Sequence, residues 1–237
     1  MCGRFTLTPG AIPLLTDWVE GGAEVIPRWN IAPTQMVPIV REQGGARQLA
    51  LARWGLVPPW AREGDRLPPL INARADTVAE KPAFRAALRQ RRAVVPADGF
   101  YEWAPPPAGA PKGAPKQPWW FRRRDAGLLF LAALWEPWGP EAEPERLSFT
   151  LITTDANACV APVHDRMPVL LDAAQADRWM APQGQELAPL LSMLAPYPAD
   201  AMVAIAVNPR LNSARTDEPS LVEPVATVRQ PGLFDGV

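Results

Sequence analysis

The chain has 237 residues, 48% of them hydrophobic, with a formal net charge of −1 and a pI near 5.9. That is one large domain or two small ones with ample material for a core, and the near-neutral balance excludes a molecule that binds polyanions or membranes over its whole surface. Two cysteines cannot build a disulfide framework, and neither C-x-x-C nor H-x-x-x-H spacing exists for zinc.

No charged segment leads into an apolar run at the N-terminus, and no apolar stretch approaches the roughly 18 residues of a membrane span. The expectation is a soluble cytoplasmic protein with no metal and no cofactor. Only Lys81, Lys112 and Lys116 of the 24 basic residues are lysine, which leaves 21 arginines. Arginine forks phosphates and stacks on bases, although a GC-rich genome gives the same skew.

In chain order, Cys2 comes first, directly behind Met1. Loss of Met1 would give Cys2 a free α-amine beside its thiol, two nucleophiles on adjacent carbons; a terminus tolerant of any residue is the plain alternative. Strands are expected at 47–54, 92–96, 127–135, 147–154 and 201–207, from alternation or from short buried apolar runs. Helices are expected at 82–92, opened by Pro82 and closed by arginines, at 172–180 behind an Asp172 cap, and at 185–194, interrupted by Pro189. A Pro/Gly/Ala segment at 104–118 reads as a flexible hairpin loop between strands ending near Trp103 and starting near Trp119. The arginine triplet 122–124 reads as a solvated hairpin end. Strands do not alternate regularly with helices, so the fold class is α+β: curled antiparallel sheets forming a barrel-like core, with helices outside.

Four stretches set polar groups among Pro, Gly and Trp: "NIAP" (30–33), "INARAD" (71–76), "DGFYEW" (98–103) and "HDRMP" (164–168). Each has a structural alternative. Asn72 could cap a turn, Glu102 could point outward from a strand, and His164, the single histidine, could be a hydrogen-bonded core imidazole.

"MCGRF", "NIAP", "WGLVPPW" (54–60), "INARAD", "ADGFYEW" and "HDRMP", in that order, resemble the SOS-response-associated peptidase (SRAP) family, whose members crosslink to abasic sites in single-stranded DNA. The resemblance runs from Cys2 to at least Pro168, and it implies one SRAP-like domain over 1–237. The chain departs from the family pattern at Asp76, where Glu is common, and in the Pro-rich insert after Trp103.

The resemblance implies a chemistry. An opened abasic sugar is an aldehyde, and a neutral amine attacks it to form an imine. With an α-amine pKa near 7.7–8.0 against 10.4 for lysine, roughly a quarter of Cys2 amines are neutral at cytosolic pH, against about 0.1% of lysines. The neighbouring thiol then closes a five-membered thiazolidine, which resists hydrolysis. By the same resemblance Glu102 is the acid/base, His164 holds the sugar oxygen, and Asn72 orients Cys2. Gly3 belongs to the DNA-binding set, and Arg4, Arg74 and Arg166 grip phosphates. Pro33, Trp60 and Trp103 wall the gap left by the missing base. The implied partner is single-stranded DNA with abasic sites; protein partners are not indicated.

Three rivals stay open at this point: an N-terminal-nucleophile hydrolase such as a glutamine amidotransferase, a peptidase cutting its own Met1–Cys2 bond, and a single-strand binding module with no covalent step.

Overall fold

The computed structural model describes residues 2–20, 24–62, 65, 67–106, 109–139, 146–181 and 186–226. Met1, on which the expected cleavage turns, lies outside them, as do residues 107–108 of the Pro-rich insert and residue 185 of the third expected helix. The described elements in chain order are β1 (Phe5–Leu7), α1 (Ile12–Trp18), β2 (Arg28–Ile31), β3 (Met36–Gln43), β4 (Ala46–Trp54), β5 (Asn72–Arg74) and α2 (Arg85–Gln90). They continue with β6 (Arg92–Ala97), β7 (Gly99–Ala104), β8 (Gln117–Arg123), β9 (Leu129–Pro137), β10 (Leu147–Asp155), β11 (Arg166–Pro168), β12 (Leu170–Leu171), α3 (Ala173–Met180), α4 (Leu187–Ser192) and β13 (Met202–Ala206).

The strands form two sheets. One has the order β13-β8-β7-β1-β2, all antiparallel. The other closes on itself as a five-strand ring, β10-β4-β3-β6-β9, with the last strand pairing the first and β5, β11 and β12 attached outside it. The α+β class holds. The ring sheet is mixed rather than wholly antiparallel, because β10 runs parallel to both β4 and β5. β9, buried on both faces, reads as an unbroken apolar run, "LFLAAL", whereas the equally buried β10, "LSFTLITT", sets Ser148 and Thr150 among Leu147, Phe149 and Leu151. β4 instead leaves one face to solvent, where Leu51 is 63% exposed.

Trp54 joins the two sheets. Fully buried, it lies 5.2 Å from Phe5 and 6.1 Å from Phe149 between ring centroids, and its indole N–H donates to the Ile71 carbonyl at 2.9 Å. Cys2 lies in this same core. A smaller cluster on the opposite face of the first sheet gathers Tyr101, Val207, Leu211 and Leu221, with Trp29, Trp103 and Trp120 against it.

Helices are few and tied down. α3 carries the expected Asp172 cap in full: the Gln175 N–H donates to its carboxylate at 2.7 Å, and the Asp172 N–H donates to the Gln175 side chain at 3.0 Å. Arg92, opening β6, donates to the carbonyls of Leu88, Trp179 and Ala181 and so satisfies the ends of both α2 and α3. Pro189 falls in the first turn of α4, where its missing N–H costs nothing, and does not interrupt the helix. The arginine triplet is no free hairpin end. Arg122 and Arg123 belong to β8 and pair with Val203 and Met202 of β13, while Arg124 donates to the Asp200 and Met202 carbonyls.

Candidate active site

The site forms where β1 meets β7. Phe5 pairs with Phe100, and continuing that antiparallel register by two residues brings Gly3 level with Glu102. Along β7 the side chains alternate: Phe100 faces the main core, while Tyr101 and Trp103 face the smaller cluster. Glu102 falls on the core face, 3% exposed, so a carboxylate sits where strand periodicity calls for an apolar group. Burial pushes its carboxyl up to about 7, and Asp165 pushes the same way. The group is therefore poised between acid and base at neutral pH.

Cys2 is fully buried. Burial first, and the Glu102 charge second, raise its thiol far above the ordinary value, so it is held as S–H rather than thiolate. Its sulfur contacts the Arg4 carbonyl at 4.0 Å. Asn72, first residue of β5, donates its amide N–H to the Cys2 carbonyl at 2.9 Å, which ties the ring sheet to the start of the chain. The Asn72 Oδ1 is buried with no hydrogen-bond partner, an acceptor available to a donor inside the site. Cys2, Asn72 and Glu102 are thus brought together. Neither Cys2 nor Cys159 is in a disulfide.

His164 enters from the turn before β11. Its Nδ1 lies 3.0 Å from the Arg166 backbone nitrogen and 3.2 Å from the Arg166 carbonyl, so that edge of the ring is held within the turn. The exposed Asp165 carboxylate lies 3.0 Å from the same nitrogen and favours the cation, yet burial wins and lowers the pKa. Asp165 acts on both Glu102 and His164, which puts the two in one electrostatic neighbourhood.

The arginines are less free than phosphate grips need to be. Arg4 is half-buried, donates to Asn30 Oδ1 at 2.8 Å and to the Leu211 carbonyl at 3.1 Å, and lies 5.9 Å from the Trp103 ring. Arg166 is buried, paired with Asp155 at 2.6 Å and donating to the Thr153 carbonyl at 2.7 Å. Arg74 is exposed and forks Asp76 through Nε at 3.1 Å and Nη2 at 2.6 Å. Trp103 is half-buried with its N–H on Asn212, Pro33 and Gly3 are half-buried, and Trp60 is 54% exposed on the loop after β4. Trp60 shares none of the hydrogen bonds that join Cys2, Asn72 and Arg4 to their partners.

Two supporting residues carried no role in the sequence reading. Asn30, fully buried, accepts from Arg4 and donates to the Ser213 and Thr216 carbonyls. Asp217 accepts from the N–H groups of Trp29 and Asn30 and pairs with Arg28. The first lies in the quoted "NIAP"; the second had no local signal, because its partners are over 180 residues away. A cleft of about 590 Å³ between the 55–69 loop and Trp138 contains none of the predicted residues. The chemistry-bearing side chains locate the site, and that cleft does not. Among the described residues no group of His, Cys, Asp and Glu could hold a metal, and no helix is long and apolar enough to cross a membrane.

Comparison with known proteins gives one consistent result. The profile of the SOS response associated peptidase (SRAP) family matches residues 1–214. The chain is 37% identical over 228 residues to the abasic site processing protein YoqW of Bacillus subtilis, spanning 94% of this chain and 99% of that one. It is 33% identical over 190 residues to the abasic site processing protein YedK of Escherichia coli, covering 76% and 79%. A crystal structure of a Bacteroides thetaiotaomicron protein, 24% identical, shares the fold with a TM-score of 0.80 over 95% of this chain and all of the other. The chain belongs to the SRAP family.

Proposed function

We propose that this protein processes abasic sites in single-stranded DNA by trapping them covalently on Cys2, once Met1 has been removed. Relatives named for abasic site processing support the substrate. The observation that carries the chemistry is the buried Glu102, its carboxyl pushed to about 7 beside a Cys2 thiol held protonated.

The order of steps follows from that pair. A protonated thiol is a poor nucleophile, so the α-amine attacks first. Its lone pair adds to the aldehyde carbon of the opened sugar, giving a carbinolamine. Glu102 in its acid form protonates the departing hydroxyl, and one water leaves to form the imine. As a carboxylate it then takes the thiol proton while sulfur adds to the imine carbon and nitrogen regains a proton. The result is a thiazolidine, formed with net loss of one water. Asn72 fixes the Cys2 backbone through its carbonyl. His164, kept neutral by burial, holds the sugar oxygen freed by ring opening.

The same buried thiol counts against the glutaminase-like rival, whose first step needs a sulfur readily deprotonated by the α-amine. A denaturing gel tests the proposal. Protein shown by mass to lack Met1 is incubated with a single-stranded abasic oligonucleotide. A heat-stable shifted band is expected; its absence would overturn the reading. Glutamine hydrolysis without such a band would favour the rival.

A further inference from the structure

Two of the three lysines in the chain, Lys112 and Lys116, lie in the insert between β7 and β8. From 105 to 118 the sequence "PPPAGAPKGAPKQP" has no Asp or Glu, so the insert is purely cationic in a protein whose net charge is −1. It leaves β7 just after Trp103 and rejoins the sheet at Gln117, two residues before Trp119, the cross-strand partner of Glu102. The insert therefore starts at the strand that carries the candidate acid/base and ends at the strand paired with it.

Each lysine stands beside a fixed point of the insert. Residues 111–114 form a turn closed by the Ala114 N–H on the Pro111 carbonyl at 3.0 Å, with Gly113 at φ +88°. Lys112 thus occupies the second position of a turn whose third position needs glycine. Lys116 is followed by Gln117, whose side-chain amide N–H donates to the Val207 carbonyl at 2.9 Å and anchors the end of the insert to the residue just past β13. Both lysine side chains are exposed. Burial dominates the proton affinities of Glu102 and His164, but the Lys116 charge is felt at both, favouring the carboxylate and the neutral ring. An exposed ammonium that acts on both catalytic candidates stands at the rim of the site.

We infer that the 109–118 part of the insert is a cationic arm that receives the DNA backbone beside the trapped nucleotide, with Lys112 and Lys116 each contacting one phosphate. This rests on the abasic-DNA reading and extends it. The arginines Arg4, Arg74 and Arg166 are engaged with protein acceptors, whereas no hydrogen bond or ion pair shorter than 4 Å joins either lysine to a described group. A proline-stiffened turn loses little backbone freedom on docking, and ammonium groups do not discriminate among bases, as a sequence-tolerant contact requires.

Salt dependence reads the contact directly. Each phosphate neutralised on a single strand adds about 0.7 to the logarithmic slope, so two add about 1.4, equivalent to about a sevenfold extra loss of affinity between 50 and 200 mM salt. The probe is a fluorescent single strand carrying a tetrahydrofuran abasic analogue, which cannot open to an aldehyde, so binding is measured apart from trapping. Lys112→Gln/Lys116→Gln should bind more weakly at low salt with a slope smaller by about 1.4, while Lys112→Arg/Lys116→Arg should keep the wild-type slope. Equal slopes for wild type and the glutamine pair would overturn the arm. An aldehyde-bearing strand run in parallel separates the two ideas. No adduct from wild type sinks the trapping reading, and the slope comparison still decides the arm.

Discussion

Two side chains at the site are in protonation states that water would not give them. Cys2 is a thiol kept protonated by burial and by Glu102, and Glu102 is a carboxyl kept near half-protonation by burial. Cys2→Ala retains the α-amine and should form an imine that borohydride traps, but no heat-stable adduct. Cys159→Ala should crosslink normally, because Cys159 is half-buried in the 157–163 turn and its thiol is raised by burial. A denaturing gel with and without borohydride distinguishes them; loss of the adduct in Cys159→Ala alone would identify the wrong cysteine.

Glu102 also makes a stability prediction with a definite sign. Its carboxyl goes from 4.5 in the unfolded chain to about 7 in the folded one, so the folded state binds the proton more tightly. The contribution is fully present below pH 4.5 and is lost as pH rises through 7, to the extent of roughly 3 kcal/mol. Glu102→Gln cannot titrate. Denaturant unfolding between about pH 4 and about pH 8 should therefore show wild type losing roughly 3 kcal/mol relative to the variant. Parallel curves would mean an ordinary carboxyl. In the chemistry, the same variant should slow adduct formation by about 10²–10⁴-fold.

At the scale of elements, β7 must lie close against β1 and β8 for Glu102 to reach Cys2. Gly99, paired with Thr6 of β1, sits under the Trp120 indole; a Cβ there would lie 2.1 Å from its Nε1 and 2.9 Å from the Phe121 carbonyl. Trp120 cannot step aside freely, since its N–H donates to Thr6 Oγ1 at 3.1 Å. Gly99→Ala should cost on the order of 1–3 kcal/mol, read as a lower midpoint in denaturant, because overpacking forces the sheet apart. An unchanged midpoint would show that the indole yields.

The buried runs of β9 and β10, and the Asp172 cap of α3, were legible because local sequence sets them. β3, "MVPIVREQ", was missed: Pro38 breaks its pattern, and its place in the ring depends on strands far along the chain. The expected helix over 82–92 shortens to Arg85–Gln90 because Arg92 already belongs to β6. The parallel pairings of β10 with β4 and β5 leave no mark in composition at all.

For the whole molecule, the site is assembled from distant parts: residue 2, the start of β5, the middle of β7 and the turn before β11. Motif order could nominate Cys2, Asn72, Glu102 and His164, but only the fold shows that Asn72 holds Cys2 and that Arg4, Arg74 and Arg166 have protein partners. Asn30 and Asp217, which bind the C-terminal segment to β2, could not be read locally. The central claim is that an N-terminal aminothiol, and no other nucleophile, captures the aldehyde. The most direct measurement is intact mass and peptide mapping of the adduct after treatment with a thiol alkylator under denaturing conditions. The account predicts the summed mass of Met1-less protein and abasic strand less one water, with DNA on the Cys2 peptide, Cys159 alkylated and Cys2 resistant. An adduct that retains Met1, maps to a lysine, or leaves Cys2 open to alkylation would contradict it.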